Sequence, residues 1–222
     1  MLWARDHASD RWAASSVWRQ SIMLIVNDLN RAAERAAIRS MFEARKHVFV
    51  DLLRWDVPVL AGRFEVDQFD DGHATYLILC DAERRHLAST RLLPTRRPGI
   101  LNTLYPQLCE STPPAGPDVF EITRFCLSRD QHAADRRSAR DRLVTGLVHY
   151  ALDHGIRSYT GVAEIGWLQQ ILAFGWDCRP LGLPQATGGR MIGALQIDID
   201  SSSLAKLAAA GIHADATPAI AA

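Results

Sequence analysis

The sequence predicts a mixed α/β fold: a single domain with one mixed sheet flanked by helices. Three observations predict it. Short apolar runs of strand length alternate with stretches whose apolar residues recur every three or four positions. Two consecutive strand-like runs are joined through a polar turn, a hairpin that a purely parallel, doubly wound sheet does not contain. The 222 residues suffice for one large domain, and no internal repeat divides them.

The elements follow in order. Residues 1–20 read as an N-terminal extension carrying Trp3, Trp12 and Trp18 among Arg and Asp. Residues 21–200 form the domain. Ile22–Val26 is a strand, and Asn27-Asp28 suits a helix cap. From 29 to 55 the spacing is helical, with Ile38, Met41, Phe42, Phe49 and Leu52 on one stripe. Residues 61–72 read as an acidic loop. Residues 74–80 (ATYLILC) and 86–93 (HLASTRLL) are neighbouring strands joined through Asp81-Ala82-Glu83-Arg84. Six prolines, from Pro94 to Pro117, mark a long irregular connection, and connections of that length in compact domains are often functional. Val119–Leu127 is a strand. Ser138 caps a helix whose stripe runs from Leu143 to Leu152 and closes at His154-Gly155. Strand 158–163, helix 165–174 and strand 190–199 complete the domain. Residues 201–222 form an Ala-rich tail that frays after at most one short helix.

Composition narrows the function classes. Lys+Arg and Asp+Glu are both 25, so no broad basic footprint for nucleic acid exists. Lys46 and Lys206 are the only lysines, so arginine supplies the other 23 of the 25 basic residues. Arginine presents a flat fork of donors suited to carboxylates and phosphates. The apolar run Ile22–Val26 is too short for a membrane span or a signal-peptide core. Cys80, Cys109, Cys126 and Cys178 make no CxxC pair, which excludes a zinc knuckle and fits a reduced, cytoplasmic compartment.

Certain charges fall where solvated residues do not belong. Arg45 lies on the apolar helix stripe. Asp67 and Asp70 flank Phe69, Arg91 lies inside a strand, and Glu121 and Arg124 lie inside the strand VFEITRFCL. Three positives thus face three negatives, the balance that a buried set requires. An internal salt-bridge network and a functional site both fit it. In a regular strand Glu121 and Thr123 point to one face and Ile122 and Arg124 to the other, so a shared site needs a β-bulge. Phe42, Phe49, Trp55, Phe64, Phe69 and Tyr105 surround the charged set in sequence; aromatics beside Arg and Asp can wall a pocket for a cationic ligand, and Trp55, at a helix end, suits its rim.

Other signals are weak. The glycines make neither GxGxxG nor a P-loop, and no GxSxG elbow exists. His149 and His154 do not share a helix face, so no metal site is expected. The run Arg129, Arg136, Arg137, Arg140 and Arg142 reads as a solvated face laced with Asp130, Asp135 and Asp141.

Four pieces, in order, resemble the acyl-homoserine-lactone synthases, the bacterial autoinducer synthases of quorum sensing. They are Arg45-xxx-Phe49-xxxxx-Trp55, then Glu65-x-Asp67-Gln68-Phe69-Asp70, then Arg91-Leu92-Leu93-Pro94-Thr95, then Phe120-Glu121-Ile122-Thr123-Arg124-Phe125. The resemblance spans roughly 41–175. It implies an acyltransferase-like fold similar to that of the GNAT acetyltransferases. It also implies S-adenosylmethionine as a substrate, an acyl thioester on acyl carrier protein or coenzyme A as donor, and no separate cofactor. The products would be N-acyl-homoserine lactone and 5′-methylthioadenosine. Glu121, Arg124, Asp67, Asp70 and Arg91 would form the catalytic set, and Arg45, Phe49, Trp55, Tyr105 and Thr123 the substrate-binding set. Tyr105 departs from the family's usual Phe, and Ala163-Glu164 lies near where some members carry a Thr associated with 3-oxo chains.

The implied chemistry suits the residues. Glu121 would take the proton of the amine, and a backbone N–H beside it would hold the thioester oxyanion. Asp67, Asp70, Arg45 and Arg91 would fix the loop over S-adenosylmethionine, with Phe49 and Trp55 as walls and Arg124 as an anchor. Cys126, Leu143, Leu147, Ala163 and Trp167 would line the acyl pocket. Two other readings remain: an N-acyltransferase of the same fold with another amine acceptor, and a non-catalytic effector-binding module.

Overall fold

The computed structural model describes residues 21–213. The extension assigned to 1–20 and the end of the tail lie outside the described residues. The chain runs β1 (Ile22–Val26), α1 (Arg35–Arg45), a π-helical segment (Lys46–Leu52), β2 (Val59–Leu60), β3 (Phe64–Glu65), β4 (Thr75–Cys80) and β5 (His86–Pro94). It continues through α2 (Ile100–Leu104), a 3-10 turn (Pro106–Leu108), β6 (Val119–Leu127), α3 (Ala133–His154), β7 (Ser158–Glu164) and α4 (Ile165–Leu172). It ends with β8 (Asp177–Pro180), β9 (Gln185–Thr187), β10 (Arg190–Asp198) and α5 (Ser203–Ala209).

One sheet organises the molecule, in the order β1-β4-β5-β6-β7-β10-β8, with β9 paired to β10. β2 and β3 form a small separate ribbon. All pairings are antiparallel except β6–β7. That parallel ladder runs from Val119–Ser158 to Ile122–Gly161 and then stops, although β6 continues to Leu127 and β7 to Glu164. The two strands therefore part in mid-sheet.

Alternation along the strands builds two cores. Met23, Leu77, Leu79, Leu92, Leu195 and Ile197 point to one face, where α3 lays Leu143, Val144, Leu147 and Val148 against them. Leu24, Val26, Tyr76, Ile78 and Leu93 point to the other, where α1 contributes Ala37, Ile38, Met41 and Phe42. Full burial of each such aliphatic side chain stabilises the fold by roughly 1.5–3 kcal/mol. Gly155, with φ 65°, terminates α3 in the left-handed conformation that glycine adopts without strain.

Several expectations need correction. The first helix begins at Arg35 rather than near 29, because 28–34 is turn, and Leu52 is 49% exposed rather than on the inner stripe. The cause is the π-helical segment, whose wider turns rotate later side chains away from the α-helical stripe. Residues 61–72 contain β3, and the Pro-rich connection contains α2 and the 3-10 turn. α3 starts at Ala133 with His132 as N-cap, so Ser138 lies inside it. β8 and β9 were not expected. Past residue 201, Leu207 of α5 and Ile212 are buried members of the main core.

Candidate active site

On the α1 side of the sheet, six charged side chains close on one another. Arg45 is the last residue of α1, on its buried stripe. Arg91 stands in the middle of β5, Glu65 ends β3, and Asp67 and Asp70 occupy the turn that follows. Arg45 reaches Glu65 through Nε at 2.5 Å and Asp70 through both terminal nitrogens at 2.8 and 2.9 Å. Arg91 holds both oxygens of Asp67, at 2.6 and 3.1 Å, approaches Asp70 at 2.8 Å, and donates through Nε to Thr123 Oγ1 at 2.9 Å. Arg124 donates to Glu65 and, at 2.7 Å, to Asp67. The turn ties itself down as well, with the Asp67 N–H on Asp70 and the Phe69 N–H on Asp67.

Arg124 enters this cluster through the bulge that the sequence required but could not display. Thr123 pairs with Arg91 and Cys126 with Ser89, so Arg124 and Phe125 together oppose Thr90. Arg124 takes φ 52°, which resets the alternation of the strand. Thr123 and Arg124 consequently face the cluster together, while Phe125 turns to Trp167 on the α3 side.

Three arginines thus balance three carboxylates, but not the three expected. Glu65 fills the place expected of Glu121 and is fully buried. The signal was present: Glu65 sits between Phe64 and Val66, as Asp67 sits between Val66 and Phe69. Burial disfavours the ionised forms, yet the Asp70 carboxyl lies below its ordinary value because the Arg45 and Arg91 charges overcome that cost. Arg45 is likewise pulled down by burial and raised further by Asp70 and Glu65, so it stays charged.

Glu121 stands apart. It is 2% exposed, and its two oxygens accept the backbone N–H groups of Ile100 and Leu101 at 2.9 and 2.8 Å. Burial pushes its carboxyl up to about 7, against the pull of those two donors and of the Arg91 charge. The first turn of α2 approaches so closely that a Cβ on Gly99 would overlap Glu121 Oε2. Glu121 pairs with Thr160, one step before the β6–β7 ladder ends.

The structure brings the two aromatics Phe49 and Trp55 together. Phe49 and Trp55 stack at 4.6 Å, and the Arg124 guanidinium lies 5.6 and 5.8 Å from their ring centroids. The π-helical segment makes this pairing, for the Trp55 N–H closes onto the Phe49 carbonyl at 2.8 Å. Tyr105 is not in the cluster. It packs at the end of α2 against the group formed by Leu101, Leu108, Ile192 and Ala194. Of the expected acyl lining, Leu143, Leu147 and Ala163 lie in the main core with Trp167 packed against it, and Cys126 is fully buried. Glu164, which the sequence singled out only through the resemblance, and Arg190, which it did not mark, both contact Trp55. Among the described residues no group of His, Cys, Asp and Glu is placed to hold a metal ion.

A family model described as autoinducer synthase matches residues 29–207. The chain belongs to the autoinducer synthase family. An acyl-homoserine-lactone synthase of Ralstonia nicotianae is 33% identical over 182 residues, covering 79% of this chain and 89% of its own. The solved structure of a CoA-dependent acyl-homoserine lactone synthase, BjaI, with SAM and isopentyl-CoA is 26% identical, with a TM-score of 0.78 over 86% of this chain and 90% of that one. A solved structure from Lactobacillus plantarum shares the fold, with a TM-score of 0.52 at 17% identity, over 81% of this chain and 99% of that one. The parted strands and flanking helices of this autoinducer synthase are the fold it shares with both structures. Among the described residues no helix is long and apolar enough to cross a membrane.

Proposed function

We propose that the enzyme joins an acyl thioester to S-adenosylmethionine and closes the product to an N-acyl-homoserine lactone. The observation that carries the mechanism is Glu121, a buried carboxyl poised near neutrality where the β6–β7 ladder ends. The amine of S-adenosylmethionine titrates at about 8 or below, so a base near 7 is well matched to it. Glu121 takes the ammonium proton, directly or through one water. The amine attacks the thioester carbonyl, the C–N bond forms and the thioester C–S bond breaks; the leaving thiolate takes up the second nitrogen proton, and Glu121 gives the first to solvent.

Past Ile122 the β7-facing edge of β6 has no partner strand, and a backbone N–H there would hold the oxyanion. The ion cluster is the frame. Asp67 and Asp70 lock the turn, Arg45 and Arg91 lock those acids, Thr123 seats Arg91, and Arg124 carries the Phe49–Trp55 wall around the sulfonium. Tyr105 would line the α2 side of a substrate cleft opening where β6 and β7 part. Lactone closure follows when the carboxylate attacks its own γ-carbon, the C–S bond breaks, and 5′-methylthioadenosine leaves as a neutral thioether. That step needs positioning more than acid–base help.

S-adenosylmethionine is consumed as a substrate, and no separate cofactor enters this scheme. The four cysteines are free thiols, which supports a cytoplasmic site of action beside the pools of both substrates. The test is purified protein, S-adenosylmethionine and acyl thioesters of graded length on acyl carrier protein and on coenzyme A. Lactone and methylthioadenosine in equal amounts are expected with one carrier type. Absence of both products with every donor overturns the reading.

A further inference from the structure

The segment carrying Trp55 is held from the far side of the cleft. The π-helical segment gives way at Leu53, and Arg54 takes φ 57°, a conformation that costs free energy unless the surroundings impose it. Glu164 and Arg190 supply those surroundings. Glu164 ends β7, and Arg190 opens β10. Glu164 Oε1 accepts the Trp55 indole N–H at 3.1 Å and Arg190 Nη1 at 2.9 Å. Arg190 Nη2 donates to the Leu53 carbonyl, and its guanidinium lies 5.8 Å from the Trp55 ring centroid. Trp55 therefore sits between Arg124, on β6 past the end of the ladder, and Glu164, at the end of β7.

We propose that Glu164 and Arg190 are positioning residues that clasp Trp55 across the gap between β6 and β7, and that the clasp sets how tightly S-adenosylmethionine is held. The inference rests on the preceding functional reading. An indole tethered through Nε1 keeps one orientation. An untethered one regains rotamer freedom and must lose it again at each binding event. That cost falls on binding rather than on chemistry at Glu121, so it enters KM and spares kcat. The side chains of Glu164 and Arg190 are 38% and 30% exposed, so solvent screens the pair and the effect is modest.

The experiment measures kcat, KM for S-adenosylmethionine and equilibrium binding of S-adenosylmethionine for the wild type, Glu164→Ala, Glu164→Gln and Arg190→Ala. Both alanine variants are expected to raise KM and the dissociation constant about three- to tenfold, with kcat within about twofold. Glu164→Gln, which keeps an acceptor for the indole, should fall between. In a Trp55→Phe background, which lacks the N–H, Glu164→Ala should add nothing. Melting temperatures near the wild type's are expected and exclude a folding defect. Unchanged binding in both alanine variants overturns the clasp, as does a loss of kcat alone, or an equal effect of Glu164→Ala in the Trp55→Phe background. A wild-type protein that fails to bind S-adenosylmethionine overturns the functional reading itself, a different outcome.

Discussion

Arg124 grips Glu65 with two nitrogens on one carboxylate oxygen, Nε at 3.0 Å and Nη2 at 2.9 Å, while Arg45 holds the other oxygen. Glu65 is thereby the acid shared between the helix α1 and the bulge of β6. Glu65→Ala leaves two buried guanidiniums short of a counter-charge, and breaking a buried pair costs about 3–5 kcal/mol. Urea unfolding at pH 7 is expected to show that loss. A change below about 1 kcal/mol would mean that Asp67 and Asp70 suffice without Glu65.

As the proposed base, Glu121 is expected to set the pH dependence of the rate. Its folded value of about 7 lies above its ordinary 4.5, so kcat/KM should rise with pH and level off above about 7. The folded state holds this proton more tightly than the unfolded chain does, so Glu121 makes stability fall as pH rises from 4.5 to about 7. Glu121→Gln should lower kcat/KM by about a hundredfold or more and flatten the acid limb while the protein still folds. An unfolded Glu121→Gln protein, or one of near-normal rate, removes Glu121 as the base.

Gly99 tests the support of Glu121. Its backbone is extended (φ −133°), so alanine there meets no conformational strain, only the Glu121 carboxylate itself. Gly99→Ala should push the first turn of α2 off Glu121 and weaken the N–H bonds that favour its charged form. The acid limb of the rate profile should then move to higher pH. A shift to lower pH would contradict this account.

Asp70 controls acid stability. Its folded value is depressed, so its contribution is fully present above 3.8, its ordinary value, and is lost as pH falls through the folded value. Asp70→Asn should be clearly less stable than the wild type at pH 7, and the gap should narrow below about pH 4. Unfolding curves at pH 7, 4 and 3 read this directly. A gap that stays constant would assign the loss to packing.

The legible parts of the molecule were those with long, regular patterns. β6 is apolar save for Glu121, Thr123 and Arg124, and its bounds are those the sequence predicts. α2 is five residues among prolines, too short for any period to register. The charges in apolar runs marked the site, but their partners were not all readable. Glu121 is paired with backbone amides, which leave no trace in side-chain identity. The bulge at Arg124 contains neither Gly nor Pro, so only the clustering of charges hinted at it.

The β6–β7 ladder is the only parallel pairing among the described strands, and it spans just four residue pairs. Every member of the ion cluster lies on the stretch from Arg45 to Arg124, before the chain crosses to β7. The apolar residues of β7, α4 and β10 come from later sequence and belong to the cores. A descendant chain can exchange apolar residues in that later stretch without unpairing one buried charge. An apolar exchange in the later part thus repacks a core, whereas a charge exchange in the earlier part unpairs a buried network.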